Sequence, residues 1–213
     1  MKISEIFYSI QGEGVSIGRP TAFVRTYGCN LRCSYCDTIY AREGGNFTDT
    51  TVEEVVEKVK EFPTRLCCVT GGEPMIQEEI YNLIDLLIKN SYEVDLETNG
   101  TILLPLTFCS KEKLHVVVDC KCPCSGENEF REANLGRLSD KDAVKFVVRD
   151  KTDFSFIKKK LKEWGGPELK YLVSPIWGEA DLAEVAEFVK GDSRLTLNLQ
   201  LHKIVWPNKV GGV

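Results

Sequence analysis

The 213-residue chain lacks any apolar run approaching the ~20 residues needed to cross a bilayer, which excludes a helical membrane span. It lacks an excess of positive charge. With 27 basic against 32 acidic residues the formal charge is −5, which argues against a protein that grips a nucleic-acid backbone along its length. No basic, aromatic-rich stretch stands out, and no repeat, linker or low-complexity segment breaks the chain. The N-terminal MKISEIFYSIQGEG carries Glu5 and Glu13 and has no uninterrupted apolar core, so it does not read as a signal peptide. Histidine is scarce: His115 and His202 are the only two, and neither has zinc-like spacing to a cysteine cluster. The 43% hydrophobic and 28% charged content is that of a soluble globular protein, which excludes disordered, collagen-like and coiled-coil chains. This length suits a single domain spanning residues 1–213.

Cysteine, by contrast, is abundant. Nine is an odd number, and without an export signal the expected compartment is the reducing cytoplasm. Metal ligation is then the stronger reading and a disulfide framework the weaker one. Cys67 and Cys68 sit in LCCVT, a buried-strand pattern in which cysteine acts as a small hydrophobe. Cys29, Cys33 and Cys36 sit in GCNLRCSYCDT, a loop-like segment whose side chains can converge on one point.

Apolar runs at 21–27, 66–70, 94–98, 114–121, 143–148, 171–175 and 195–201 read as strands. Between them, VEEVVEKVKEF, capped by Thr50 or Thr51, reads as an amphipathic helix. So do IQEEIYNLIDLLIKN and residues 153–163 and 179–190. The alternation predicts an α/β fold with a mostly parallel sheet of about six to seven strands, covered by helices. That is a partial, open β/α barrel, since a full eight-fold one typically needs ~250 residues. The loop after Gly28, GGEP (71–74), ETNG (97–100) and the segment after Val118 then fall at the carboxyl ends of strands, where such folds gather their chemistry.

Cys29-x3-Cys33-x2-Cys36 offers three thiolates within eight residues. A structural zinc site wants four ligands. Three thiolates on a four-iron cluster leave one iron open to a chelating ligand. With this triplet, Thr70-Gly71-Gly72-Glu73-Pro74 and Glu97-Thr98-Asn99-Gly100, the chain resembles the radical S-adenosylmethionine (SAM) superfamily. The resemblance implies an open barrel, a [4Fe-4S] cluster on Cys29, Cys33 and Cys36, and SAM on the open iron as the source of a 5′-deoxyadenosyl radical.

SIQGEG (9–14), Phe23-Val24-Arg25, Cys36-Asp37-Thr38 and Gln200-Leu201-His202-Lys203 narrow the choice. From about residue 3 to residue 209 the set resembles the 7-carboxy-7-deazaguanine synthase family. That family converts 6-carboxy-5,6,7,8-tetrahydropterin to 7-carboxy-7-deazaguanine with loss of ammonia, on the route to queuosine and related 7-deazapurines. The resemblance implies that Ile10, Gln11, Gly12, Glu13, Arg25 and Thr70 meet the pterin, Arg25 through its carboxylate. It implies that Tyr35, Cys36, Asp37, Gly72, Glu73, Glu97, Asp119, Cys120 and Lys121 meet SAM, and that Thr38 ligates Mg²⁺ beside the substrate. It implies an electron donor such as flavodoxin or ferredoxin, and no nucleic-acid or membrane partner. Open sheet edges point to a homodimer.

In Asp119-Cys120-Lys121-Cys122-Pro123-Cys124 the variable positions are all cysteine. On one face of an extended strand they would stand ~6–7 Å apart per step, which suits packing better than a second cluster. The chain continues past QLHK as PNKVGGV, so the tail either folds back to the substrate or leaves that contact unmade. The competing enzyme is a glycyl-radical-enzyme activase, which would not need QGEG, Arg25 and CDT together. The competing class is a non-catalytic iron–sulfur or zinc protein that binds nucleic acid.

Overall fold

The computed structural model describes residues 1–165, 169–209 and 211–212. Nine strands form one sheet: β1 (Lys2–Ile10), β2 (Pro20–Thr26), β3 (Thr48–Asp49), β4 (Leu66–Gly71), β5 (Glu93–Thr98), β6 (Leu114–Asp119), β7 (Ala143–Val148), β8 (Lys170–Pro175) and β9 (Leu195–Leu197). The helices are α1 (Ile39–Arg42), α2 (Val52–Lys60), α3 (Ile80–Lys89), α4 (Leu106–Cys109), α5 (Lys151–Glu163), α6 (Leu182–Lys190) and α7 (Leu201–Val205). The sheet runs β3-β1-β2-β4-β5-β6-β7-β8-β9 and does not close. The seven strands from β2 through β4 to β9 are parallel, as the α/β alternation predicts. β1 and β3 add an antiparallel flank that the apolar pattern did not mark. In β1, Lys2, Ser4, Glu5 and Ser9 interrupt the apolar run, and the pairing with β2 shifts register between Ile3 and Glu5.

The helices form where periodicity and caps agree. Thr51 and Glu54 make a reciprocal capping box, and Val52, Val55, Val56 and Val59 turn one face of α2 inward. α3 does the same with Ile80, Leu83, Ile84 and Leu87. Against these two helices pack the outward residues of β2, β4, β5 and β6: Ala22, Val24, Cys67, Val69, Val94, Leu96, Val116 and Val118. A second core joins Val144, Phe146 and Val148 of β7 to Tyr171 and Val173 of β8, Phe154 and Ile157 of α5, and Cys120, Cys122 and Cys124.

Two predicted strands end early. The 114–121 strand stops at Asp119, and Pro123–Ser125 forms a 3₁₀ turn, so the three cysteines do not lie along one extended face. The 195–201 strand stops at Leu197, because the buried Asn198 carboxamide turns to other partners. Its Oδ1 accepts from Gly14 N at 3.1 Å and from Ser174 Oγ at 3.3 Å.

Period-two alternation leaves a second set of residues inside the barrel. Cys68 stands beside Asp95, Asp95 beside His115, Arg25 beside Thr70, and Asp119 beside Lys145. The β1–β2 loop plugs the lower interior. Val15 packs on Val117, Ala143 and Leu172, and Ser16 Oγ donates to Asp95 Oδ1 at 3.1 Å. The loop carrying Gln11, Gly12 and Glu13 is thereby fixed from below.

Candidate active site

A cavity of about 530 Å³ opens at the carboxyl ends of the parallel strands. Its wall includes Ile10, Gln11, Gly12, Glu13, Arg25, Cys29, Cys33, Tyr35, Cys36, Asp37, Thr38, Thr70, Gly72, Glu73, Glu97, Asp119 and Lys121. Of the residues to which the resemblance gives a pterin, SAM or metal role, Cys120 alone is not brought to it. Asp119 and Lys121 line the cavity, whereas Cys120 between them lies in the second core, where it is 1% exposed.

The three loop cysteines are free and half-buried, whereas the other six are free and buried. Burial raises the thiols of Cys29 and Cys33, while Lys121 pulls both down. Cys29 Sγ accepts from Leu31 N at 3.4 Å and from the Asn99 amide at 3.9 Å. The loop is anchored to the 3₁₀ turn, with Ser34 N donating to Ser125 O at 2.9 Å and Ser34 Oγ to Cys124 O at 2.6 Å. Among the described residues no three His, Cys, Asp or Glu side chains converge tightly enough for one metal ion. A single tetrahedral ion would hold thiolates about 4 Å apart, whereas a polynuclear cluster takes them at separate corners. Two buried polar atoms on the cavity wall, Tyr35 Oη and Arg42 Nε, have no hydrogen-bond partner among the described residues, and Asp119 Oδ1 has only the Lys145 ammonium at 3.4 Å. Such atoms are normally satisfied, so this wall suits a polar ligand. The thiolate set and the unsatisfied wall therefore fit a cluster with a polar molecule beside it.

The glycines of GGEP are required by the backbone packed against them. A Cβ on Gly71, whose φ is +129°, would lie 2.3 Å from Thr26 O, and one on Gly72 would lie 2.0 Å from Gly28 O. They let β4 lie against the chain end of β2 just before the cysteines. Glu73 is fully buried. Its Oε1 accepts from Thr98 Oγ1 at 2.7 Å and Met75 N at 2.9 Å, and its Oε2 accepts from Asn99 N at 2.6 Å. Three of about four acceptor positions are thus filled by the protein, so Glu73 chiefly ties GGEP to ETNG. Burial raises its carboxyl despite these bonds.

Elsewhere on the cavity wall, Arg25 Nε donates to Glu5 Oε1 at 2.7 Å, and Tyr40 Oη donates to the same oxygen at 2.7 Å. The guanidinium lies over the Phe7 ring, 5.5 Å from its centroid. Its two terminal amino groups make no hydrogen bond among the described residues and face the cavity, which leaves a fork for a carboxylate. Thr70 Oγ1 donates to Glu97 Oε2 at 2.8 Å. Thr38 stands at the N-cap of α1, yet its hydroxyl makes no cap bond and lies 3.9 Å from Cys36 Sγ. Asp37 pairs with Lys203, which holds its carboxyl below the usual range against the upward push of burial.

The sequence reading assigned no role to Lys145, Arg42, Trp177, Gln200, His202 and Lys203, all of which line the cavity. Lys145 had a signal: a lone charge inside the apolar run AVKFVV. Gln200 Nε2 donates to Glu13 Oε1 at 2.8 Å, so the C-terminal segment closes the cavity against the QGEG loop. In the tail, residues 210 and 213 lie outside the described residues. Gly211 folds back so that a Cβ there would meet Tyr40 Oη at 3.4 Å.

A model of the radical SAM superfamily matches residues 23–123, the span from β2 through the cysteine loop to the 3₁₀ turn. The chain is 40% identical over 208 residues to 7-carboxy-7-deazaguanine synthase of Methanospirillum hungatei, covering 96% of this chain and 85% of that one. It is 36% identical to the Clostridium acetobutylicum protein of the same name, covering 99% and 98%. Among solved structures, QueE from Escherichia coli superposes with a TM-score of 0.79 at 24% identity, covering 94% of each chain, which establishes the fold. The activase alternative is not favoured by these matches.

Proposed function

The chain belongs to the 7-carboxy-7-deazaguanine synthase family of the radical SAM superfamily, and we propose that it converts 6-carboxy-5,6,7,8-tetrahydropterin to 7-carboxy-7-deazaguanine with loss of ammonia. Family membership implies a [4Fe-4S] cluster and SAM, and a reductant to drive them. The observation that carries the reading is one cavity lined by the cysteine triplet on one side and by Gln11, Gly12, Glu13 and Arg25 on the other.

Cys29, Cys33 and Cys36 would hold the cluster, and Asp119, Lys121, Glu97 and the GGEP turn would surround SAM. When bound, this pair supplies a 5′-deoxyadenosyl radical that removes a hydrogen atom from the substrate. The protein's part is to fix the pterin within contact distance and keep water out, since positioning governs such an abstraction. The Arg25 fork would take the pterin carboxylate, held side-on by Glu5 and Tyr40. Glu13 would accept from the guanidine-like ring edge, and the Thr38 hydroxyl, unused as a cap, would ligate Mg²⁺ beside that carboxylate.

A cytoplasmic setting is supported by nine free cysteines. Flavodoxin or ferredoxin would dock at the exposed side of the cysteine loop. A second copy would cover the open β9 edge, where Leu182 and Leu197 are exposed. Among the described residues no helix is long and apolar enough to cross a membrane. Anaerobic turnover with SAM, the pterin, Mg²⁺ and a reductant, followed by mass spectrometry, tests the reaction. The expected product is 7-carboxy-7-deazaguanine; SAM cleavage without it would overturn the assignment of substrate.

A further inference from the structure

Lys145 lies in the middle of β7, where Val144, Phe146 and Val148 point into the second core and Lys145 points the other way, 7% exposed. A buried ammonium is costly unless it is paired. Its Nζ lies 3.0 Å from Glu13 Oε2 and 3.4 Å from Asp119 Oδ1. Asp119 Oδ2 in turn accepts from Lys121 Nζ at 2.8 Å. Four charges of alternating sign, Glu13, Lys145, Asp119 and Lys121, therefore cross the cavity from the QGEG loop to the cysteine loop. Glu13 sits between Gly12 and Gly14 on a backbone held by Leu201 N, which donates to Gly12 O at 2.9 Å, and by Asn198 Oδ1, which accepts from Gly14 N at 3.1 Å; these bonds fix the main chain and leave the carboxylate free to turn. Its side chain needs a separate support.

We propose that Lys145 is a positioning residue for the substrate: its ammonium fixes the Glu13 carboxylate in the cavity and ties it to Asp119 on the opposite wall. This rests on the reading of Glu13 as a pterin acceptor given above. Burial alone would push the Glu13 carboxyl up. Lys145 does most to reverse this, the Gln200 amide and His202 add to it, Asp37 opposes it, and the carboxyl ends below its usual range. Lys203 faces the site through its pair with Asp37. Without Lys145, burial would dominate and Glu13 would take up a proton nearer neutrality. Only the ionised form carries a charge and accepts through both oxygens with no proton in the way, so ligand affinity would become pH-dependent.

The test is anaerobic calorimetric titration of the cluster-loaded protein, with SAM present, by 6-carboxy-5,6,7,8-tetrahydropterin between pH 6 and pH 8. The chains compared are wild type, Lys145→Met, Lys145→Arg, Glu13→Gln and the Lys145→Met/Glu13→Gln double variant. Relative to wild type, Lys145→Met should bind more weakly, losing about tenfold in affinity for each pH unit below the raised Glu13 value. Lys145→Arg keeps the charge and should keep the wild-type pH profile. The double variant, which folds without a lone buried carboxylate at position 13, should bind no more weakly than Glu13→Gln and show no added pH dependence. A Lys145→Met profile parallel to wild type would overturn the proposal. So would a double variant weaker than Glu13→Gln, because Lys145 would then touch the pterin itself. If wild type bound no pterin, the substrate reading would fail and this inference with it, whereas wild-type binding unaffected by Lys145→Met would sink the inference alone.

Discussion

The loop cysteines and the core cysteines show how one residue type takes two roles a few residues apart. Cys29, Cys33 and Cys36 are half-exposed on the cavity wall, with amide donors and the Lys121 ammonium nearby. Cys67, Cys68, Cys120 and Cys122 are at most 1% exposed. Burial is the largest cause that carries the Cys120 thiol up to about 12, and it likewise raises those of Cys67, Cys68 and Cys122. A ligand must be deprotonated, so the second set is kept as inert thiol. The carboxylates divide in the same way. Asp119, at the strand end, has two lysines and is held below its usual range despite burial. Asp95, lower in the barrel, has the Ser16 hydroxyl and a second oxygen without a hydrogen-bond partner among the described residues, and is pushed up to about 6 chiefly by burial. The side chains around a group, and not its residue type, decide its state.

The sharpest way to break this comparison is at Cys33. Cys33→Ala should lose its iron and sulfide and cleave SAM only at background, since two thiolates do not hold a four-iron cluster. Retained 5′-deoxyadenosine formation would show that the triplet is not the ligand set. Thr38 gives a smaller effect. Thr38→Ala should keep the cluster and still cleave SAM, yet make roughly tenfold less deazapurine per SAM consumed, because the pose is loosened rather than lost. Thr38→Ser keeps the oxygen and should keep most of the Mg²⁺ response. Product yield titrated against Mg²⁺ decides this, and an unchanged curve for Thr38→Ala would exclude the ligand role.

These contrasts were partly legible in the sequence. Helices α2 and α3 announce themselves by period and cap, and the cysteine loop by spacing. β1 was hidden because Ser4, Glu5 and Ser9 interrupt its apolar run, with Glu5 serving Arg25. Lys145 and Asp95 were visible as charges inside apolar strands, but which face they take depends on register, and register is a property of the assembled sheet. The Gln200–Glu13 bond joins residues 187 apart in the chain, so no local pattern could place it. The glycines of GGEP were recognised, but their reason, the backbone of Thr26 and Gly28, lies in tertiary packing.

Asp95 sharpens the carboxylate half of the comparison. Its value rises from 3.8 to about 6 on folding, so the folded state holds the proton more tightly than the unfolded chain. The Asp95 contribution to stability then falls as pH rises from about 4 through 6, and its penalty is fully present above that, at up to about 3 kcal/mol. Asp95→Asn keeps an oxygen for Ser16 and removes the charge. It should stabilise the protein at pH 8 and do so about half as much at pH 5. Denaturant unfolding at the two pH values measures this, and equal destabilisation at both would show that the ionised carboxylate supports the fold.

The smallest expected effect is the most pointed test of the cysteine comparison. Cys120, Cys122 and Cys124 lie within five residues of one another and directly beneath the cysteine loop, since Ser34 is bonded to Cys124 O and Ser125 O. Proximity alone would suggest a second cluster. Their setting argues otherwise: the side chains join Val144, Phe146 and Phe154 in the second core, and burial raises all three thiols. What the segment gives the loop is its backbone, through the two bonds to Ser34, and a packed base beneath it. Changing all three to Ala removes three buried sulfurs and should cost about 1 kcal/mol each, read as a lower unfolding midpoint. The bonds to Ser34 use main-chain oxygens and should survive. Iron and sulfide per chain should therefore equal wild type, with SAM cleavage retained. A fall in iron by about half would mean that the core set also binds metal, and that burial had not separated the two kinds of cysteine after all.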